Sequence, residues 1–180
     1  MNQELINMLC LRRLCLPADT NIDDLRLGIV KTSICTCGES NHIACVFEQK
    51  GSRLQTISIG INLYHSSSRN DSTHAEVSAI LNLPLRERNK RLYKINILVI
   101  RTSLSGKVGN SKPCFKCILN MLTLPQKRGY IIKNVYYSNE NGEIIESTPQ
   151  QLLDNGNYHV TRYYRNNNYQ HKLLKGDMVR

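Results

Sequence analysis

The run Ile95 to Arg101 reads INILVIR and is apolar at almost every position. A strand that faces water on one side alternates apolar and polar residues. One this uniform is buried on both faces, the situation of an inner strand in an α/β sheet. The segments around it fit that setting. Ile43 to Phe47 is a short apolar strand, Gln49-Lys50-Gly51-Ser52 a turn, and Leu54 to Ile61 (LQTISIGI) a second strand alternating apolar with small or polar residues. Together they predict an antiparallel hairpin. A polar loop from His65 to Ser72 precedes a helix from about His74 to Leu83, which Pro84 stops. The charged stretch Arg86 to Lys94 leads into the central strand. A Gly-containing loop, Ser103 to Lys112, leads to a helix beginning at Pro113. Tyr130 to Ser138 predicts a further strand, Asn139 to Gly142 a turn, Glu143 to Glu146 its return, and Ser147-Thr148-Pro149 the start of a short helix. His159 to Arg165 reads as a last strand.

The order predicts α/β architecture in three layers, α/β/α, with a mixed sheet of about five strands and helices on both faces. Two amphipathic helices are expected ahead of it, over residues 2–15 and about 23–33, within an N-terminal helical extension of residues 1–36. Residues 1–165 form one predicted domain and 166–180 a basic tail. Hydrophobic residues make up 41% and charged residues 21% of the 180, which is globular composition. No apolar run approaches the ~18–20 residues of a membrane span, and the first residues lack the pattern of a secretion signal. With seven cysteines, an odd number, reduced thiols in the cytoplasm or nucleus are expected.

Two short segments carry chemistry: His74-Ala75-Glu76 and Pro113-Cys114-Phe115-Lys116-Cys117. Cys-x-x-Cys at a helix start brings two sulfurs to one ion, and the positive end of the helix favours their thiolate form. His74, at another helix start, supplies a third ligand. Three protein ligands on a tetrahedral Zn2+ leave a position for water, as in catalytic sites. Glu76 lies close to such a metal without ligating it, where it can relay protons as general acid and base. The bland alternative is a core histidine, a surface glutamate and a redox or structural Cys pair. A structural site, however, needs a fourth ligand at matching spacing.

This pairing resembles the signature of the zinc-dependent cytidine and deoxycytidylate deaminase superfamily, in the branch whose first ligand is His. The resemblance covers about residues 43–138. It implies a cytidine-deaminase-like fold and Zn2+ held by His74, Cys114 and Cys117, with Glu76 catalytic. It also implies three substrate contacts: Asn62, from Gly60-Ile61-Asn62, on the sugar or a neighbouring phosphate; the Ala75 N–H on the base carbonyl; and the Lys112 carbonyl on the exocyclic amine. The interval from His74 to Cys114 is longer than in many relatives, with the extra length in residues 84–94 and 103–112. The activity implied is hydrolytic deamination of a cytosine nucleoside or nucleotide to uracil, releasing ammonia. The alternatives are editing of cytosine, or less readily adenine, in RNA or single-stranded DNA, and a non-enzymatic zinc-stabilised nucleic-acid-binding module. No membrane partner is expected; monomer and homo-oligomer both remain open.

Charge bears on that choice. Residues 1–50 carry a balance of −1 and residues 51–180 one of +11. The excess attracts phosphate-bearing molecules. It lies in Arg86, Arg88, Lys90, Arg91 and Lys94; in Lys107, Lys112, Lys116, Lys127, Arg128 and Lys133; and in Arg162, Arg165, Lys172 and Lys175, which alternate with Tyr163, Tyr164 and Tyr169. Basic residues among aromatic rings can grip a single strand, and equally can be a solvated surface. A second cluster, Cys35, Cys37, His42 and Cys45, has spacing too tight for an ordinary zinc site and reads as packing. Cys10 and Cys15 read the same way, and His65 as an exposed loop histidine.

Overall fold

The computed structural model describes residues 40–51, 53–64, 72–87, 91–103, 108–160 and 165. The two expected N-terminal helices, Cys35, Cys37, His65 and the tail lie outside them. Among the described residues eight strands and three helices follow one another: β1 (Ser40–Lys50), β2 (Arg53–Ile61), β3 (Leu63–Tyr64), β4 (Ser72–Thr73), α1 (Ala75–Leu81), β5 (Tyr93–Ser103), β6 (Val108–Gly109), α2 (Phe115–Lys127), β7 (Tyr130–Ser138), β8 (Ile144–Ser147) and α3 (Pro149–Asp154). Six strands form one mixed sheet in the order β2-β1-β5-β7-β8, with β6 paired to β5; β3 and β4 pair separately. The chain is therefore α/β with a mixed sheet, as expected.

The central strand behaves as its sequence requires. Ile95, Ile97 and Val99 are fully buried on one face, and Leu98 and Ile100 are buried on the other. On its two edges β5 pairs antiparallel with β1 and parallel with β7. A parallel pair needs a crossover, and α2 provides it. All three helices bury their apolar residues in the same cluster, formed with Ala44, Val46, Ile95, Ile97 and Val99 on one face of the sheet. Phe47, Leu98, Ile100 and Tyr136 form a smaller cluster on the other face. Among the described residues helices thus cover one face.

Helix α1 has only seven residues, too few to be stable by propensity. It is held by β2. The Ser58 hydroxyl donates to the Ala79 carbonyl at 2.8 Å, and the Asn82 amide donates to the Ile59 carbonyl at 2.8 Å. Next to them, facing the start of the helix, is Gly60. A Cβ there would collide with the Ala79 backbone and the Ala75 carbonyl. Backbone meets backbone, so only glycine fits.

Strand β7 contains an irregularity. Ile95 pairs with Ile132 but Asn96 with Asn134, so Lys133 is an extra residue. Before it, Tyr130 and Ile132 enter the helix-side cluster; after it, Val135 and Tyr137 do. The bulge changes the parity of the strand and keeps both halves packed on one core. A second shift, between Val46 and Phe47, interrupts the β1–β2 ladder.

Other details differ from expectation in small ways. α2 starts at Phe115 and not at Pro113, because Cys114 is still extended (φ −74°, ψ 163°). The Ser103 to Lys112 loop contains β6. His159 and Val160 are not in a strand. The start of α3 is as read: Pro149 opens it, and Thr148 and Gln151 form a reciprocal capping box.

Gly60→Ala should force α1 away from β2. An overpacked contact of this kind costs about 1–3 kcal/mol. Chemical denaturation is expected to show that loss, together with weaker metal retention, since α1 begins beside His74. Unchanged stability and metal content would refute the close-approach account.

Candidate metal centre

The residues singled out by sequence meet at the ends of two helices. His74 is the N-cap of α1 and Cys114 the N-cap of α2; both are extended, and neither side chain caps its own helix. Cys117 lies in the first turn of α2. The His74 Nδ1 is 3.5 Å from the Cys114 Sγ and 3.3 Å from the Cys117 Sγ. The three ligand atoms all lie within 4.8 Å of one another, so this group can hold a metal ion.

Other parts of the chain cap these helices and leave the N-cap side chains to point at the metal position. The Ala75 N–H, first in α1, donates to the Asn62 Oδ1 at 2.8 Å. The Phe115 N–H, first in α2, donates to the His159 carbonyl at 2.9 Å. Phe115 and Tyr158 also stack, with ring centroids 4.7 Å apart. Behind Cys114 the chain is anchored by serines. The buried Ser111 hydroxyl donates to the Val99 carbonyl at 2.7 Å and accepts from the Ser138 N–H at 2.8 Å. The Ser111 N–H donates to the Ser138 carbonyl. This bridge joins the ends of β5 and β7 and fixes where the Pro-Cys segment departs.

The electrostatics suit a metal ligand set. The Cys114 thiol is pulled well below its ordinary value, first by the hydrogen bond from Cys117, then by His74. Cys117 is pushed up by the same hydrogen bond and by burial. The His74 imidazole is raised chiefly by its hydrogen bond to Cys114. A metal ion bound here would take the place of the protons this cluster shares. Glu76 is only 4% exposed, and burial pushes its carboxyl pKa up. Its side chain also meets the Cys117 thiol.

The structure brings Asn62 and Ala75 together, but onto each other. The Ala75 N–H that the resemblance assigns to the base carbonyl is engaged by Asn62, and the Asn62 Oδ1 assigned to sugar or phosphate is engaged by Ala75. Lys112 sits two residues before Cys114, half-buried, with its own N–H held by the Asn110 side chain at 2.9 Å. Of the Cys35, Cys37, His42 and Cys45 grouping, only His42 and Cys45 are among the described residues, and these two do not share a site. His42 shares a face of β1 with Ala44, whereas Cys45 lies on the opposite face, buried, with its Sγ 3.7 Å from the Thr56 hydroxyl. Three residues apart on a strand, the two cannot share an ion. His42 instead stands near the metal position: burial, then Arg101 and His74, lower its pKa to about 4.

Sequence reading missed His42, Ser111, Ser138 and the His159 carbonyl. The first had a signal, since it lies an even number of residues before the core positions Ala44 and Val46. A backbone carbonyl has none. Comparisons with protein-family models, curated proteins and solved structures find no match.

Two outcomes follow. Purified protein should carry one metal ion per chain at this group, and Cys114→Ala should lose it; a variant that retains full metal by elemental analysis would refute the ligand set. Asn62→Ala should destabilise by about 1 kcal/mol, as loss of a helix cap does. Unaltered melting in that variant would show that the cap is idle.

Proposed function

We propose that this chain is a zinc-dependent hydrolase that deaminates cytosine in a nucleoside or nucleotide to uracil and releases ammonia. The observation that carries this reading is the buried Glu76 carboxyl beside a His/Cys/Cys group that does not include it. A purely structural metal has no use for a buried acid at that place.

The donor set fits zinc. Bond lengths of about 2.0–2.1 Å to nitrogen and 2.3 Å to sulfur in a tetrahedron put neighbouring ligand atoms about 3.5 Å apart. The observed 3.3 and 3.5 Å edges agree. One imidazole and two thiolates leave a fourth position, which marks a catalytic zinc. Bound there, zinc supplies Lewis-acid activation of water near neutral pH.

The rest belongs to the chain's own residues. Glu76 takes one proton from the attacking water and passes it to ring N3, then takes the proton left on that oxygen and delivers it to the departing amine. At C4 one C–O bond forms, the C–N bond breaks, and the amine leaves as ammonia. Lys112, at the entry to the Pro-Cys segment, offers its carbonyl to the exocyclic amine. Asn62 acts through α1, by holding the helix that presents His74 and Glu76. His42 and Arg101 stand side by side in register on β1 and β5. Arg101, Lys112 and Lys116 bring positive charge to this end of the sheet, which favours a phosphate-bearing substrate, while His42 stays neutral.

Editing of a polymer is the reading to separate from this one. Ammonia release should be assayed with cytidine, deoxycytidine and their monophosphates beside a cytosine-containing single-stranded oligonucleotide. Free monomers should turn over with a shallow salt dependence, because they meet few charges. A polymer would give a salt slope proportional to the phosphates it contacts. Glu76→Gln should retain zinc and the fold and lose about 10²–10⁴-fold or more in turnover. Near-native activity in that variant would sink the mechanism. Turnover of the oligonucleotide alone would make the protein an editing enzyme.

A further inference from the structure

We propose that the end of the sheet remote from the metal carries a second binding site, for a hydroxyl-bearing organic phosphate. A cavity of about 410 Å³ opens there, lined by Gln49, Gly51, Lys94, Asn96, Lys133 and Asn134. Strand β5 runs from Tyr93 at this end to Ser103, and the Ser111 anchor of the metal centre binds it only at Val99. Asn96 shares its face with Leu98 and Ile100, opposite the helices. The cavity therefore differs from the metal centre in both end and face, and is independent of the proposed deamination.

Asn96 is 8% exposed, and its Oδ1 is buried without a hydrogen-bond donor. Native proteins seldom leave a buried carbonyl oxygen unmatched, and because Asn96 lines the cavity, a turn of its terminal amide would present that oxygen to an arriving donor. Lys94 and Lys133 stand exposed at the mouth. Among the described residues neither makes an ion pair; the nearby Glu146 carboxylate accepts instead from the Asn134 amide at 2.8 Å and the Tyr136 hydroxyl at 3.1 Å.

The backbone is shaped to the same end. Consecutive residues of a regular strand point to opposite faces. Lys133 and Asn134 nevertheless line one cavity, because Lys133 is the extra, unpaired residue of the β7 bulge and Asn134 resumes the pairing. Bulges of this kind re-aim side chains beside functional sites. The opposite wall is a glycine turn, with Gly51 at φ 62° and its carbonyl accepting from the Gln49 amide at 3.2 Å.

This geometry selects the ligand. Two ammonium groups at the mouth bind a dianion, for which lysine serves as a point charge. The deeper acceptor requires a donor on the same molecule. The volume lies within the range of small-molecule sites, about 300–1,000 Å³, and exceeds what a bare phosphate fills. A phosphate ester with hydroxyl groups, the phosphate at the lysines and a hydroxyl donating to Asn96, meets all three conditions.

Calorimetric titration of the full chain with ribose 5-phosphate, inorganic phosphate and ribose tests this. Ribose 5-phosphate should bind more tightly than either fragment. Lys94→Gln with Lys133→Gln should weaken it about tenfold or more while metal content stays native. Asn96→Leu should bring its affinity down to that of inorganic phosphate. The same variant should raise the melting temperature, because it removes the unmatched oxygen without changing the volume much. The proposal falls if ribose 5-phosphate does not bind, if it binds no better than inorganic phosphate, or if the variants bind as the native chain does. Binding of a single-stranded oligonucleotide with ribose 5-phosphate inert would overturn it as well.

Discussion

Two hydrogen bonds to the first N–H of two helices set the terms for everything at the metal centre. A helix start normally consumes the side chain at its N-cap. Here His74 and Cys114 occupy that position without capping their own helices, and Asn62 and the His159 carbonyl satisfy the first N–H of each helix from elsewhere in the chain. The N-cap geometry then becomes an advantage. It directs both side chains along the helix axes into the space between the two positive helix ends, where thiolates are stabilised.

Placement of those helices follows from how closely backbone can approach backbone. α1 is short and lies directly on β2 through Gly60, with the Ser58 and Asn82 hydrogen bonds fastening it further along. α2 is longer, carries its own apolar face into the core through Ile118 and Met121, and is fixed at its start by the Ser111 bridge across β5 and β7. The ligands thus hang from two different parts of the sheet, with β1 between them.

Much of this was legible in the sequence, and the reasons are physical. Hydrophobic pattern located β1, β2, β5 and β7, because burial on one or both faces leaves a direct mark on composition. Metal-ligand chemistry leaves a comparable mark, so His74, Cys114 and Cys117 could be grouped across a long interval. What sequence did not reveal were relations between segments. Asn62 carries a polar amide whose partner is decided by where α1 lands, so the amide could be read as a substrate contact until the Ala75 N–H was seen against it. The single extra residue at Lys133 is invisible to a period-two pattern, since IIKNVYY shows no break. Pairing of His42 with Cys45 looked close in sequence and fails because neighbouring odd and even positions of a strand face opposite ways.

The interval between His74 and Cys114 also ties the ligand group to the long-range pairings of the sheet. It contains the whole of β5, and β5 lies between β1 and β7 in the finished sheet. In the native arrangement the imidazole and the two thiols are therefore held together by strand pairings of high sequence separation, which are slow to form. A metal ion bound to them would deepen the native well by mass action, in proportion to the free metal and its affinity, and would tie the two halves of the sheet across its middle strand.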